Sequence, residues 1–248
     1  MTHAAVSVTF DNLGEASDLE RGWWPEDEPL GSHHSVTKAL PRLLEALDEA
    51  GLRATFFVEG LNTELYPETL VDLDARGHEV ACHGWRHENW ARLDPETERA
   101  SLARSVEGMR ALGLAPVGFR PPGGKLTEAT PALLRELGFG YCSPAAGATA
   151  GDVPVLPFRW ELLDAYHYLP HFADRRGQED PLPPAALRSA VSAALDQVAR
   201  DGGFLALLFH PFLCDTEERL AVVRDALARV RQLVDAGALI CAPCCELV

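Results

Sequence analysis

Two histidines four residues apart form the strongest chemical signal in the sequence. They are His83 and His87, in a run of polar residues that follows a short apolar segment. On one helical turn this spacing would place both imidazoles on one face, with Cβ atoms about 5–6 Å apart, close enough to share a divalent ion. The alternative is a pair of surface histidines, and the spacing alone does not separate the two interpretations.

Two more charged residues follow apolar segments. Asp11 comes directly after residues 6–10, where it is either a site carboxylate or a cap for a turn or helix. Arg120 comes after another short apolar segment and precedes Pro121-Pro122-Gly123-Gly124, whose prolines stiffen the turn. An arginine fixed there can pair with a carboxylate and keep it ready as a base, or it can simply be exposed on a β-turn.

A further histidine, His210, ends the apolar run 204–209. Its unperturbed pKa of about 6.5 allows it to donate a proton to a leaving amine near neutral pH. Each of these residues lies at the end of an apolar run: the carboxylate, the histidine pair and the histidine near the C-terminus. Together they predict one common site more strongly than any of them does alone.

The elements that would position these residues follow an alternating pattern of short apolar and longer amphipathic runs, which predicts β-α units around a parallel sheet. We predict strands at residues 6–10, 54–58, 79–82, 118–119, 141–142, 153–155, 204–209 and 238–241. We predict helices at residues 37–50, 67–76, 95–112, 128–137, 184–200 and 216–236, each ended by a glycine. Residues 13–36 do not fit and are predicted to be a long loop, either a substrate wall or a surface excursion.

The composition excludes several classes of protein. The chain has 248 residues, 47% of them hydrophobic, and a formal charge of -15, which is typical of a globular protein and not of a disordered one. This negative charge would repel nucleic acid and anionic lipid surfaces, so we expect neither as a partner. No linker or change in composition interrupts the chain, and we therefore expect one domain over residues 1–248.

The first residues of the chain and the number of cysteines indicate in which cellular compartment we expect the protein. The first residues lack the basic segment and the long apolar run of a secretory signal, and no run approaches the roughly 18 apolar residues of a membrane span. The six cysteines are too sparse for a disulfide scaffold, and we expect reduced thiols. These features predict a cytoplasmic protein. The oligomeric state is not readable from the sequence.

The motifs, taken in order, resemble those of the polysaccharide deacetylase (NodB-homology) superfamily. They are Thr9-Phe10-Asp11-Asn12, His83-x-x-x-His87, Arg120-x-Pro122-Gly123 and Leu207-x-x-His210, and they span most of the chain. Members of this family fold as a distorted (β/α) barrel, often with seven strands. They hydrolyse amide bonds with a divalent metal held by one aspartate and two histidines. The resemblance implies an α/β fold of this type here, and zinc as the expected ion.

The resemblance also implies roles for single residues. Asp11 matches the general base, His83 and His87 the histidine ligands, Arg120 the arginine that orients the base, and His210 the general acid. Asp164 is a weaker candidate for the acidic residue that tunes His210, because its surroundings match the family only loosely.

Asn12 departs from the family pattern, in which a second aspartate provides the carboxylate ligand. A neutral amide oxygen attracts a dication less strongly than a carboxylate does. Four alternatives stay open: Asn12 still binds the metal, Glu15 or Asp18 replaces it, or Asp11 becomes the ligand and the base is lost.

The absence of a recognisable export signal favours a small intracellular substrate, such as an N-acetylated sugar or a cyclic amide or imide. We expect a metal-dependent hydrolase of non-peptide C–N bonds, with a catalytically silent binding protein of the same fold as the alternative. The expected substrate walls are Trp23, Trp24, Trp85, Pro122 and the pair His33 and His34.

Overall fold

Seven parallel strands curl into a distorted barrel in the computed structural model, which describes residues 4–248. The seven strands are β1 (Ala4–Asp11), β2 (Thr55–Val58), β3 (Glu79–Cys82), β4 (Gly118–Phe119), β5 (Tyr141–Cys142), β6 (Phe158–Leu163) and β7 (Gly203–Phe209), and a short eighth strand, β8 (Ile240–Cys241), joins the same sheet. Their order in the sheet is β5-β4-β3-β2-β1-β7-β6, and β8 pairs with the beginning of β1. The predicted α/β barrel with seven strands is confirmed.

The two ends of the sheet approach each other through single bridges rather than a full strand pair. Ala145 bridges Phe158 at the start of β6, and Cys142 at the end of β5 bridges Val155, both in parallel orientation. The Ala146 N–H donates to the Phe158 carbonyl at 2.8 Å. This weak closure explains why the barrel is distorted.

Ten α-helices connect the strands within the described residues 4–248. They are α1 (Ala16–Arg21), α2 (Leu40–Ala50), α3 (Asn62–Leu65), α4 (Pro67–Ala75), α5 (Pro95–Ala111), α6 (Thr130–Leu137), α7 (Asp164–Tyr168), α8 (Ala173–Arg176), α9 (Pro184–Asp201) and α10 (Glu217–Asp235). All six helices predicted from the sequence are present. Gly51 and Gly138 end α2 and α6 in the left-handed region, as the helix-then-glycine pattern requires.

The hydrophobic core lies mainly between the helices and the outer face of the sheet. Consecutive residues of β2 divide between two apolar clusters: Phe56 stacks on Phe10 in the large cluster, with ring centroids 4.9 Å apart, and Phe57 belongs to a small cluster with Tyr141. This alternation is the period of two that a strand imposes. None of the helices within residues 4–248 is both long and apolar enough to cross a membrane.

The observed elements differ from the predicted ones in three places. The strand β6 was not predicted, because its sequence Phe-Arg-Trp-Glu-Leu-Leu carries two charges and its middle is partly exposed beside the incomplete closure. Residues 153–155 contribute only the bridge at Val155 and form no strand. In addition, the segment 13–36, predicted to be a loop, contains the short helix α1.

Candidate active site

Polar side chains gather where the parallel strands end. They are Asp11 and Asn12 at the end of β1, Glu59 after β2, His83 after β3, Arg120 after β4, Asp164 after β6 and His210 after β7. The carboxyl ends of parallel strands lie on one face of a barrel, and loops at that face build the sites of such enzymes. Five of these residues (Asp11, Asn12, His83, Arg120 and His210) line one cavity of about 550 Å³.

His83 and His87 come together through a loop and not through a helical turn, which corrects the geometry expected from their spacing. Gly84 (φ 76°) and His87 (φ 66°) both lie in the left-handed region, which an α-helix does not allow. The two imidazole rings are 5.0 Å apart, centroid to centroid. His87 therefore holds a backbone conformation that is strained for a non-glycine residue, and such strain concentrates at functional sites.

Hydrogen bonds define which nitrogen of each histidine is available. His83 Nδ1 donates to the Arg120 carbonyl at 2.8 Å, because that oxygen can only accept. The Nε2 atom of His83 therefore keeps a free lone pair that can bind a metal. His87 Nδ1 accepts from the Arg21 guanidinium at 3.2 Å, so the proton of the neutral ring is on Nε2 and a metal would have to displace Arg21 from the Nδ1 lone pair. Burial lowers the pKa of His83 to about 3 and that of His87 well below its usual value. Both imidazoles are therefore neutral near pH 7, the form that binds metals.

Glu59 completes a three-residue cluster with these histidines. One oxygen of Glu59 and one nitrogen each of His83 and His87 lie within 4.8 Å of one another, the one such group found among the described residues 4–248. Glu59 is fully buried, and burial raises the pKa of its carboxyl well above the usual value. Glu59 was not predicted as a site residue, because a glutamate followed by a glycine after the apolar run 54–58 resembles an ordinary turn.

Asp11 lies in a buried ion pair with Arg120. The Arg120 guanidinium donates to Asp11 Oδ1 at 2.6 Å, to Thr9 Oγ1 at 2.9 Å and to Ser143 Oγ at 2.8 Å. Arg120 also lies 4.0 Å above the Phe57 ring. The other carboxylate oxygen, Oδ2, is 3.9 Å from His83 Nε2. Arg120 thus fixes one oxygen of Asp11 and leaves the other beside the histidine cluster.

A second pair of acidic and basic groups joins β6 to β7. Asp164 Oδ1 accepts from His210 Nδ1 at 2.5 Å, and Oδ2 accepts from the His210 backbone N–H at 2.7 Å. Burial by itself lowers the pKa of His210, but the charge and hydrogen bond of Asp164 outweigh it, so that the pKa is raised. The structure therefore places Asp164 where it orients His210 and leaves Nε2 available to a ligand.

The cavity walls are largely aromatic. They include Trp23, His33, Phe158, Trp160, His171, Phe172 and Phe212. The side chain of Trp23 is 67% exposed, and the Arg21 guanidinium lies 5.1 Å from its ring. Part of the segment 13–36 does line the cavity, as one of the two interpretations of this segment expected.

Four of the expected wall residues lie elsewhere. Trp85 is buried with the Arg104 guanidinium 3.7 Å from its ring, because its loop turns it against α5 and away from the cavity. Trp24 packs on His33 and donates to the Glu28 carbonyl. Pro122 is buried in the turn Pro122–Gly124, and its neighbours Pro121 and Gly123 line the cavity instead. His34 is bonded to the Phe212 carbonyl and does not line the cavity either.

The loop carboxylates proposed as replacements for an aspartate at position 12 are engaged in other contacts. Glu15 is fully buried and accepts from the Gly31 N–H and the Tyr66 hydroxyl, both at 2.5 Å. Asp18 lies 3.4 Å from His33 Nε2. Asn12 itself adopts φ 60°, and its buried Oδ1 has no hydrogen-bond partner. Glu59, Asn12 and the Oδ2 atom of Asp11 therefore remain as candidates for an oxygen ligand.

Comparison with known proteins places this site in a family. The sequence profile described as "Polysaccharide deacetylase" matches residues 2–142, more than half of the chain. A crystal structure from Mycobacterium smegmatis, assigned as a polysaccharide deacetylase, superposes with a TM-score of 0.84 at 30% identity, covering 100% of this chain and 90% of that one.

Two curated relatives agree with this family. A peptidoglycan deacetylase-like protein from Gibberella zeae is 36% identical over 113 residues, which are 44% of this chain and 33% of the relative. A peptidoglycan deacetylase from Helicobacter pylori is 36% identical over 103 residues, 41% of this chain and 35% of the relative. The matches thus span about a third of the length of these relatives. This chain belongs to the polysaccharide deacetylase family.

Proposed function

We propose that this protein is a metal-dependent hydrolase that cleaves the amide C–N bond of a small N-acylated or cyclic amide substrate. The observation that carries the proposal is the convergence of three groups on one barrel face: the Glu59, His83 and His87 cluster, the Asp11–Arg120 pair and the His210–Asp164 pair. The relatives named as deacetylases support the same type of reaction.

The residues present fit a divalent metal. Two neutral imidazoles and a carboxylate oxygen form one of the ligand sets found in catalytic zinc sites, and we propose zinc for this reason. The unpartnered Oε1 of Glu59 and Oδ1 of Asn12 are buried oxygens that a cation would satisfy. When bound, such an ion activates water and polarises the acyl oxygen of the substrate.

The acid and base roles follow from the two pairs. Asp11 takes a proton from the attacking water with Oδ2, while Arg120 holds Oδ1 and keeps the carboxylate in place. His210 then donates a proton from Nε2 to the departing nitrogen. Asp164 fixes the orientation of His210 and stabilises its protonated form, so this histidine is charged to higher pH than a free one.

The cavity supports a compact substrate. Its volume of about 550 Å³ is in the range of sites for small molecules, and aromatic rings such as Trp23 and Trp160 suit the apolar face of a sugar or a heterocyclic ring. An N-acetylated sugar and a cyclic imide both meet these requirements.

We also propose a reducing, cytoplasmic location. All six cysteines are free thiols, and four of them are buried among apolar residues. Proteins of oxidising compartments use cysteines mainly in disulfides, which supports this location.

A second candidate is a binding protein that keeps the fold without turnover. Asn12 favours this alternative, because a neutral residue stands where the family resemblance implies a carboxylate ligand. Two measurements separate the enzyme from the binding protein. The first is metal analysis of protein purified without chelator. The second is an assay for hydrolysis of N-acetylglucosamine, N-acetylated oligosaccharides and cyclic imides with added zinc, cobalt or manganese. We expect bound metal and release of acid from at least one substrate class. Metal without turnover would favour the binding protein, and no metal with no turnover would overturn the enzyme.

A further inference from the structure

We propose that Glu59 supplies the anionic oxygen ligand of the metal centre, in place of the carboxylate that position 12 lacks. This inference rests on the proposed function, because it specifies the ligand set of the same site. It assigns a role to a residue that lies outside the motifs by which the sequence resembles its family.

The position of Glu59 in the sheet brings it next to both histidines. Glu59 directly follows β2, which lies between β1, the strand of Asp11 and Asn12, and β3, the strand of His83. The Asn62 amide donates to Glu59 Oε2 at 3.3 Å, and Oε1 has no partner. Leaving a carboxylate oxygen buried without a partner is costly, and a bound cation removes that cost.

Backbone contacts hold this carboxylate at a fixed distance from the histidines. The Gly60 N–H donates to the Gly84 carbonyl at 2.8 Å, and the Leu61 N–H donates to the Trp85 carbonyl at 2.9 Å. A side chain at position 60 would clash, since a Cβ there would lie 2.4 Å from Ser105 Oγ. The loop that carries Glu59 is thus bonded directly to the loop that carries the histidines.

A carboxylate ligand would lower the net positive charge of the metal site. The two imidazoles are neutral donors, Asn12 is uncharged, and the Asp11 charge is compensated by Arg120. The Arg21 guanidinium lies 3.2 Å from His87 and adds a further positive charge. Glu59 is the carboxylate within the cluster, so it is the residue that can neutralise part of a dication's charge.

Asn12 differs from Glu59 in charge and in placement. Its Oδ1 is also unpartnered, but Asn12 lines the cavity, while Glu59 is fully buried and does not line it. A neutral amide contributes less to the affinity for a dication than a carboxylate. We therefore expect the affinity for zinc to depend more on Glu59 than on Asn12.

The test is the zinc affinity of the purified full chain, measured by competition with a chromophoric chelator. The variants are Glu59→Gln, Asn12→Gly, His83→Ala and, as a matched control, Glu79→Gln. Glu79 is another buried glutamate, hydrogen-bonded to Thr55 and Tyr141 and absent from the cavity lining. Circular dichroism checks the folding of each variant, and the visible spectrum of the Co²⁺-loaded protein reports the ligand set without reference to turnover. Glu59→Asp, which keeps the charge on a shorter side chain, replaces Glu59→Gln if that variant does not fold.

We expect Glu59→Gln to weaken zinc binding by about tenfold or more and to change the Co²⁺ spectrum, because even residues that only support metal ligands cost 10- to 100-fold. Asn12→Gly should weaken it less, and Glu79→Gln should leave it unchanged. If His83→Ala loses zinc while Glu59→Gln binds like the wild type, the role of Glu59 is overturned and the metal site stands. If the wild type binds no divalent metal, the proposed function fails as well.

Discussion

Replacement of Arg120 by methionine tests the buried network that holds the proposed base. Arg120 is fully buried and donates hydrogen bonds to Asp11, Thr9 and Ser143. Methionine has a similar length and fits the apolar contact with Phe57, but it removes the charge and all of these donors. Asp11 would then be a buried carboxylate without its cation.

The expected loss of stability is large for a single substitution. Removing one partner of a buried ion pair typically costs about 3–5 kcal/mol, because the remaining charge is uncompensated. A typical protein has about 5–15 kcal/mol of stability, so this loss would remove between about a fifth and all of it. With a urea dependence of about 3 kcal/mol per M, the unfolding midpoint should fall by about 1 M or more.

Urea unfolding followed by circular dichroism measures this change, together with two controls. Arg120→Lys keeps the charge but not the forked geometry and should lose less stability. The double variant Asp11→Asn, Arg120→Met removes both charges and should be more stable than the sum of the two single losses predicts. A loss below about 1 kcal/mol for Arg120→Met, the value of an exposed pair, would refute the idea that this pair is a buried structural support of the base.

Three further substitutions test other parts of the site. Asp164→Asn removes the charge that raises the pKa of His210, so His210 should lose its proton at lower pH than in the wild type. The alkaline limb of the kcat/KM profile should therefore move to lower pH. An unmoved limb would contradict the role of His210 as the acid. Arg21→Gln removes a cation that occupies Nδ1 of His87 and repels a metal, so zinc affinity measured by chelator competition should rise, and a fall would contradict this. Trp23→Ala removes an exposed ring of the cavity wall, so KM should rise more than kcat falls, and unchanged kinetics would show that this ring does not contact the substrate.

Local sequence patterns predicted most of the fold. The apolar runs around β1, β2, β3 and β7 and the helices ended by glycine are short-range signals, and they appear in the structure within one to three residues of the predicted bounds. The strand-end positions of Asp11, His83 and His210 followed from the same runs, because a polar residue directly after a buried strand must lie at its carboxyl end. These features depend on neighbours in the chain and not on distant contacts.

The remaining features depend on tertiary contacts that no local pattern contains. The His83 and His87 spacing suggested a helical turn, but the loop takes its path from bonds to the segment after β2 and from the left-handed residue Gly84. Trp85 is aromatic and next to the motif, yet the same path turns it against Arg104. Glu59 was missed because a glutamate followed by glycine after a strand resembles an ordinary turn, and only the folded barrel brings it to the histidines.

An anomalous-scattering map from crystals of the full chain soaked with zinc tests the central claim most directly. We expect a single strong peak within bonding distance of His83 and His87, about 2.0–2.1 Å from each nitrogen, with a Glu59 oxygen at about 2.0–2.2 Å. Density at this peak that is bonded to the histidines and Asn12 but not to Glu59 would contradict the ligand set. The absence of a peak at these histidines in zinc-soaked crystals would contradict the metal site itself, and with it the proposed hydrolase.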